Sequence, residues 1–246
     1  MRQGFMRYRF IVLKKRTAIG FLFSISVLFF IVPVILVVKG LPIYHFMGQQ
    51  YTILIDPGHG GIDGGTSKEG VLEKEINLDI GKKLRAILEK RGYRVVMTRE
   101  EDVSLDSGDR LIKNRHAEDL KNRVETINNS SAHLFVSIHV NCNIKKPKTE
   151  GSIVFYNSIN EANQPLALCI QRSLNSIMVS GKKRTVHDPR EADFYLLKHT
   201  SIPGVLVETA FVSNATEREL LQKESFRGTL AESIADGIDS YFSEAR

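Results

Sequence analysis

The apolar residues divide the chain at about residue 50. From Thr17 to Val38, 22 consecutive residues carry no charge. A helix of that length would be about 33 Å long, which is enough to cross the hydrocarbon core of a bilayer. We therefore predict a basic tail at residues 1–16, a transmembrane anchor at 17–38, a linker at 39–50 and a single folded domain at 51–246.

Beyond residue 50, short apolar runs alternate with helical patterns. The apolar runs predict β-strands at Tyr51–Asp56, Tyr93–Thr98, Leu134–Val140, Gly151–Tyr156 and Val205–Glu208. The helical patterns predict helices at about Glu73–Arg91, Ser107–Asn128, Ala162–Ile177, Thr216–Gln222 and Phe226–Phe242. Strands that alternate with helices are typical of α/β proteins. We predict an α/β fold with a mixed, mainly parallel sheet and helices on both faces.

The formal net charge of +6 originates in the N-terminal region. Residues 1–50 contain seven of the 34 Lys and Arg residues and no Asp or Glu, so the rest of the chain carries −1. A near-neutral domain lacks the basic surface of a nucleic-acid-binding protein, and we predict no nucleic-acid partner. Six of the seven positive charges precede the apolar segment, which predicts a cytoplasmic N-terminus and an extracytoplasmic domain. A cleaved signal peptide is the less favoured alternative, because the apolar run exceeds the usual ~7–15 residues.

Residues suited to metal-dependent hydrolysis lie at or near the ends of three of the predicted strands. His59 lies in the turn DPGHGG, His139 follows FVSI, and Glu208 ends VLVE. Acidic residues also open the first helix, at Glu73 and Glu75. Ligands in open α/β sheets gather beyond the carboxyl ends of the strands. Two imidazoles and one carboxylate form a common catalytic zinc site, and a further carboxylate can serve as general base.

Five sequence motifs occur in the order typical of one enzyme family. They are ILIDPGHGGIDGG, EKEINLDI, VVMTREED, FVSIHVN and VLVETAFVSN. Through them, residues 51–246 resemble the zinc-dependent N-acetylmuramoyl-L-alanine amidases of the third type, whose fold is similar to that of zinc exopeptidases. The resemblance implies one Zn²⁺ per chain held by His59, Glu73 and His139, with Glu208 as the catalytic carboxylate. It selects Glu73 rather than Glu75 as the acidic ligand.

The same resemblance implies a substrate and partners. Such enzymes hydrolyse the amide between the lactyl group of N-acetylmuramic acid and L-alanine of the peptidoglycan stem peptide. The short anchored form is similar to germination-specific amidases, which prepare spore cortex for muramic-δ-lactam formation. Peptidoglycan and the cytoplasmic membrane are the expected partners, and the need for an extracytoplasmic accessory protein is left open. A zinc carboxypeptidase on a similar sheet and a catalytically silent wall-binding membrane protein are the alternatives.

Two charged residues and one basic run outside the predicted metal site also have candidate roles. Asp56 either orients His59 or only turns the chain before the following proline. Arg123 either contacts substrate or lies on the surface. We expect the basic run Lys182–Arg184 to be a solvated loop.

Two further expectations concern the exported part of the chain. A disulfide between Cys142 and Cys169 is permitted in this compartment, but two independent thiols are the favoured interpretation. The segment from Tyr156 to Pro203 is too short to hold a long insertion alongside its helix. We therefore expect no built-in helix covering the predicted zinc site.

Overall fold

The computed structural model describes residues 51–107 and 114–244, which belong to one compact unit spanning Gln50–Arg246. The predicted tail, anchor and linker lie outside the described residues, so they stay predictions. Within the described ranges, no helix combines the length and apolar character that a membrane crossing requires.

The centre of the domain is a six-stranded sheet. The strands of the chain are β1 (Thr52–Pro57), β2 (Ser67–Lys68), β3 (Val71–Leu72), β4 (Arg94–Met97), β5 (Leu134–Asn141), β6 (Ile153–Tyr156), β7 (Met178–Val179), β8 (Lys182–Lys183), β9 (Arg190–Glu191) and β10 (Gly204–Phe211). The sheet has the order β4-β1-β5-β10-β6-β9. Its first four strands run parallel, and β6 is antiparallel to β10 and parallel to β9. The predicted mixed, mainly parallel sheet is confirmed.

Six helices lie in the described residues. They are α1 (Glu73–Lys90), α2 (Arg115–Asn129), α3 (Asn163–Leu174), α4 (Tyr195–His199), α5 (Ala215–Gln222) and α6 (Glu224–Glu244). Five of them correspond to predicted helices. Most of their first and last residues lie within a few positions of the predicted ones. The start of α2 differs from the predicted Ser107, because Asn114 caps the helix by accepting a hydrogen bond from the backbone N–H of Ala117. The short helix α4 was not predicted.

Apolar side chains cover both faces of the sheet. Along β1, Ile53 and Ile55 face one side and Leu54 the other, because successive side chains of a strand alternate. The Ile53 side packs against α1, α3 and α6 through Leu84, Ile170, Ile234 and their neighbours. The Leu54 side packs against α2 and α4 through Val124, Ile127, Leu196 and Leu197. Burial on both faces explains why the central strands read as continuous apolar runs.

Candidate metal centre

His59 lies in the tight turn that follows β1. Its φ of +60° is in the left-handed region, which a non-glycine residue occupies at a cost in backbone energy. The ring atom Nδ1 lies 2.8 Å from Oδ2 of Asp63, and Nε2 lies 3.3 Å from Oε1 of Glu73. A carboxylate on one ring nitrogen fixes the orientation of the imidazole and leaves the other nitrogen for a metal.

Glu73 is the first residue of α1, and its carboxylate is buried beside both histidines. Oε1 lies 2.9 Å from Nδ1 of His139 and accepts a hydrogen bond from the backbone N–H of Val140 at 3.0 Å. Oε2 accepts from the backbone N–H of Thr66 at 2.8 Å. Glu75 is exposed, so the structure brings Glu73 rather than Glu75 to the histidines.

The three predicted ligands form one cluster. One nitrogen or oxygen atom each from His59, Glu73 and His139 lies within 4.8 Å of the others, a grouping that could hold a metal ion. His139 comes from β5, which lies next to β1 in the sheet, so parallel strand ends supply both imidazoles. The sequence-based expectation that these residues meet at the carboxyl edge of the sheet agrees with this geometry.

The charges in this cluster stabilise one another. Burial disfavours the charged form of His59, but hydrogen bonds and attraction from Glu73 and Asp63 outweigh it and raise the pKa of His59 to about 9. Burial would raise the pKa of Glu73, yet the hydrogen bonds from His139 and His59 hold that pKa well below its usual range. Metal ligands must be deprotonated, so a cation at these atoms would compete with the proton on His59.

Glu208 lies on β10 directly opposite His139 of β5. Its Oε2 is buried and has no hydrogen-bond partner within the described part of the chain. Burial and the nearby charge of Glu73 raise the pKa of Glu208 to about 8, although His59 opposes this shift. A buried carboxyl group without a partner is costly, and such perturbed groups in clefts are frequent in catalytic sites.

A cavity of about 370 Å³ opens at the cluster. Its wall includes Leu120, Cys142 and three residues at the start of α4, namely Phe194, Tyr195 and Leu196. The side chains of His59 and His139 keep 20% and 19% of their surface exposed. The start of α4 thus forms one wall of the cavity, and both imidazole rings stay partly exposed beside it.

Arg123 is buried, so its predicted surface position is wrong, but it lines the cavity, and its predicted contact with substrate stays a prediction. Asp56 lies 2.6 Å from Nη1 of Arg123 and accepts hydrogen bonds from the hydroxyls of Thr98 and Ser137. The partner of His59 Nδ1 is instead Asp63, which the sequence analysis missed. Its position four residues after His59, inside the same glycine-rich turn, was the available signal.

The basic run also contains an exception. Lys182 and Lys183 are exposed, as expected, but they form the short strand β8 rather than a loop, and Arg184 is buried. The Arg184 guanidinium forms an ion pair with Glu217 and donates to the backbone carbonyl of Thr209. Arg184 therefore supports the strand that carries Glu208.

The two cysteines are free thiols. Cys142 is partly buried in the cavity wall, and Cys169 is buried on α3. The favoured interpretation of two independent thiols is confirmed.

Gly58→Ala is expected to displace the His139 ring. A Cβ at Gly58 would lie 2.2 Å from His139 Cε1, a distance that real Cβ contacts essentially never show. We expect a loss of about 1–3 kcal/mol in the free energy of unfolding, as for other overpacked cores, and weaker metal binding, measured by urea titration and chelator competition. Gly228→Ala in α6 is the control, since no described atom other than those of its chain neighbours and the nearby backbone of the same helix lies within 4 Å of the added methyl group. Equal effects of the two substitutions would contradict this explanation.

The fold and the cluster together define a class of protein. A mainly parallel α/β sheet that presents two imidazoles and a buried carboxylate at its carboxyl edge, beside a second carboxyl group, has the form of a metal-dependent hydrolase. The sequence pattern of Amidase_3, described as N-acetylmuramoyl-L-alanine amidase, matches residues 53–240. The chain belongs to this family of peptidoglycan-hydrolysing enzymes.

Individual relatives agree with this assignment. The chain is 38% identical over 195 residues to the germination-specific N-acetylmuramoyl-L-alanine amidase of Bacillus subtilis (strain 168), covering 78% of this chain and 80% of the relative. It is 32% identical to the amidase AmiA of Escherichia coli (strain K12), covering 79% and 77%. Among solved structures, the CwlD amidase from Clostridioides difficile in complex with the GerS lipoprotein superposes with a TM-score of 0.72 at 40% identity, covering 79% and 100%.

Proposed function

We propose that this chain hydrolyses the amide between the lactyl group of N-acetylmuramic acid and L-alanine of the stem peptide, using one Zn²⁺. His59, Glu73 and His139 would hold the ion, and Glu208 would transfer the proton. The observation that carries the proposal is the convergence of three ligand atoms within 4.8 Å of one another, next to a buried oxygen of Glu208 that has no hydrogen-bond partner among the described residues.

The donor atoms suit zinc. Imidazole nitrogen and carboxylate oxygen are both ordinary zinc ligands, and three protein ligands leave a position for water or substrate. The hydrogen bond between His59 and Asp63 supplies the outer carboxylate that such sites commonly use. When bound, zinc would polarise the scissile carbonyl and lower the pKa of water to about 7.

Glu208 is placed to move the proton during the reaction. It would accept a proton from the attacking water as the new C–O bond forms, and donate it to the nitrogen of L-alanine as the C–N bond breaks. Without a cation the pKa of Glu208 is raised to about 8, and a cation at the neighbouring ligand cluster would lower it toward the range in which Glu208 accepts a proton. Phe194 and Tyr195 also line the cavity and would provide an apolar wall against the substrate.

We further propose that the catalytic domain acts on spore cortex on the extracytoplasmic side of the membrane, to which residues 17–38 anchor it. The similarity to a germination-specific amidase supports the cortex role. The amidase of known structure from C. difficile forms a complex with a lipoprotein, and this supports an extracytoplasmic accessory protein here too. In this context, removal of stem peptides would prepare muramic acid for δ-lactam formation.

The test uses the full-length chain purified in mild detergent. Vegetative sacculi and spore cortex are digested with added zinc or with a chelator, and the products are identified by mass spectrometry. We expect intact free stem peptides and unsubstituted muramic acid in the glycan, with chelator abolishing both. Release of single C-terminal amino acids would favour the carboxypeptidase. Zinc binding without cleavage, even with a lipoprotein partner added, would favour the silent wall-binding protein.

A further inference from the structure

Arg99 follows β4 within the motif VVMTREED and is buried, with 3% of its surface exposed. Its guanidinium donates four hydrogen bonds among the described residues, all to backbone carbonyls. The accepting carbonyls and distances are Pro57 at 2.9 Å, Gly58 at 3.0 Å, Lys74 at 2.9 Å and Glu101 at 3.0 Å. A single side chain therefore joins three separate backbone segments.

Two of these segments carry predicted metal ligands. Pro57 and Gly58 immediately precede His59, and Lys74 immediately follows Glu73. Arg99 thus ties the turn that holds one ligand to the first helical turn that holds another. These hydrogen bonds are needed because His59 has a φ of +60°. A non-glycine residue holds this backbone conformation only where surrounding contacts stabilise it.

Arg123 holds the same turn through other atoms. Its guanidinium donates to the carbonyls of Pro57 at 3.0 Å and His59 at 2.7 Å. Arg123 is neutralised by Asp56 and Asp119, whereas the four hydrogen bonds of Arg99 go to carbonyls alone. Burial, together with the repulsion from Arg123, lowers the pKa of Arg99 to about 10. Burying the positive charge of Arg99 therefore costs free energy, which its four hydrogen bonds to backbone carbonyls must offset.

We propose that Arg99 is a positioning residue that sets the separation of His59 and Glu73. This inference rests on the proposed function, because both residues must be metal ligands for their separation to affect metal binding. The planar guanidinium presents several N–H groups in fixed directions and can reach all four carbonyls at once. A lysine ammonium keeps the charge but is a single point on a flexible stem, so it cannot span them.

The test compares Arg99→Lys and Arg99→Gln with Arg91→Lys in the full-length chain. Arg91 is the matched control, because its guanidinium ties α1 to α6 through Asp236 and Asp239, away from the cavity. Zinc affinity is measured by chelator competition, kcat and KM by release of stem peptides from peptidoglycan, and stability by thermal unfolding. For both Arg99 variants we expect zinc affinity to fall by about 10–100-fold, the usual effect of losing an outer partner of a metal site.

The kinetic constants distinguish positioning from general support. We expect the Arg99 variants to lose kcat with little change in KM, and Arg91→Lys to lose thermal stability alone. Unchanged zinc affinity in folded Arg99→Lys and Arg99→Gln would overturn the proposal. Failure of both variants to fold at saturating zinc would also overturn it, because Arg99 would then serve stability in general. If the unsubstituted chain itself binds no zinc, the error lies in the proposed function instead.

Discussion

Glu208→Gln is expected to lower the kcat for amide hydrolysis by about 10²–10⁴-fold, the usual contribution of a general acid–base group, while zinc binding is retained. Gln has the shape of Glu but cannot accept a proton from water. Zinc should still bind, since the ligand atoms of His59, Glu73 and His139 form their cluster without Glu208. Activity is measured as release of stem peptides, and zinc affinity by chelator competition.

The same variant changes the pH dependence of stability in the metal-free protein. The folded-state pKa of Glu208 is raised from 4.5 to about 8, so the folded protein holds a proton that the unfolded chain releases in this range. Stability is therefore lost progressively as the pH rises from about 4.5 to about 8. Glu208→Gln removes this loss, and we expect its gain in stability to be larger at pH 8 than at pH 5.

Glu75→Gln is the matched control for Glu208→Gln. Glu75 is an exposed carboxylate in the first turn of α1, so its replacement should leave kcat and zinc affinity unchanged. Full activity in Glu208→Gln would exclude Glu208 as the proton carrier. Loss of zinc from Glu208→Gln would instead indicate that Glu208 is a ligand.

The sheet could be predicted from sequence because its central strands are long apolar runs. In β5 and β10, most residues are apolar and nearly all are buried, since helices cover both faces of the sheet. The two-residue strands and α4 could not be predicted. Five residues such as YLLKH are too few to show helical periodicity, and α4 is instead held by packing of Leu196 and Leu197 against the sheet.

The candidate site was predictable to the extent that strand ends define it. His59 follows β1, and His139 and Glu208 lie in the C-terminal halves of β5 and β10, so all three lie toward the carboxyl edge of the sheet. Arg99 and Arg184 were not predictable, because each lies in a run of charged residues that is typical of a solvated surface. Arg184 is buried by its ion pair with Glu217, which is 33 residues away, and local sequence carries no sign of such a contact.

Arg123→Met is expected to lower the free energy of unfolding by about 3–5 kcal/mol, the usual result of removing one partner of a buried ion pair. Arg123 is 2% exposed and lies between the carboxylates of Asp56 and Asp119, each 2.6 Å from a guanidinium nitrogen. Met fills similar space but leaves both carboxylates unpaired. Urea denaturation at pH 7 measures the change. Arg85→Met removes surface ion pairs with Glu89 and Glu100 and should cost less than about 1 kcal/mol.

The pH dependence of the free energy of unfolding shows whether Arg123→Met loses stability through the unpaired Asp56 carboxylate. Burial would raise the pKa of Asp56, but Arg123, Thr98 and Ser137 hold it below 3.8 in the folded chain. Asp56 thus contributes stability that is present above about pH 4 and is lost as the pH falls through its folded-state pKa. Without Arg123, burial dominates and raises the pKa of Asp56. The loss of unfolding free energy in Arg123→Met should therefore be larger at pH 7 than at pH 4. Adding Asp56→Asn should recover part of the deficit at pH 7, whereas a deficit that is independent of pH would assign it to lost packing.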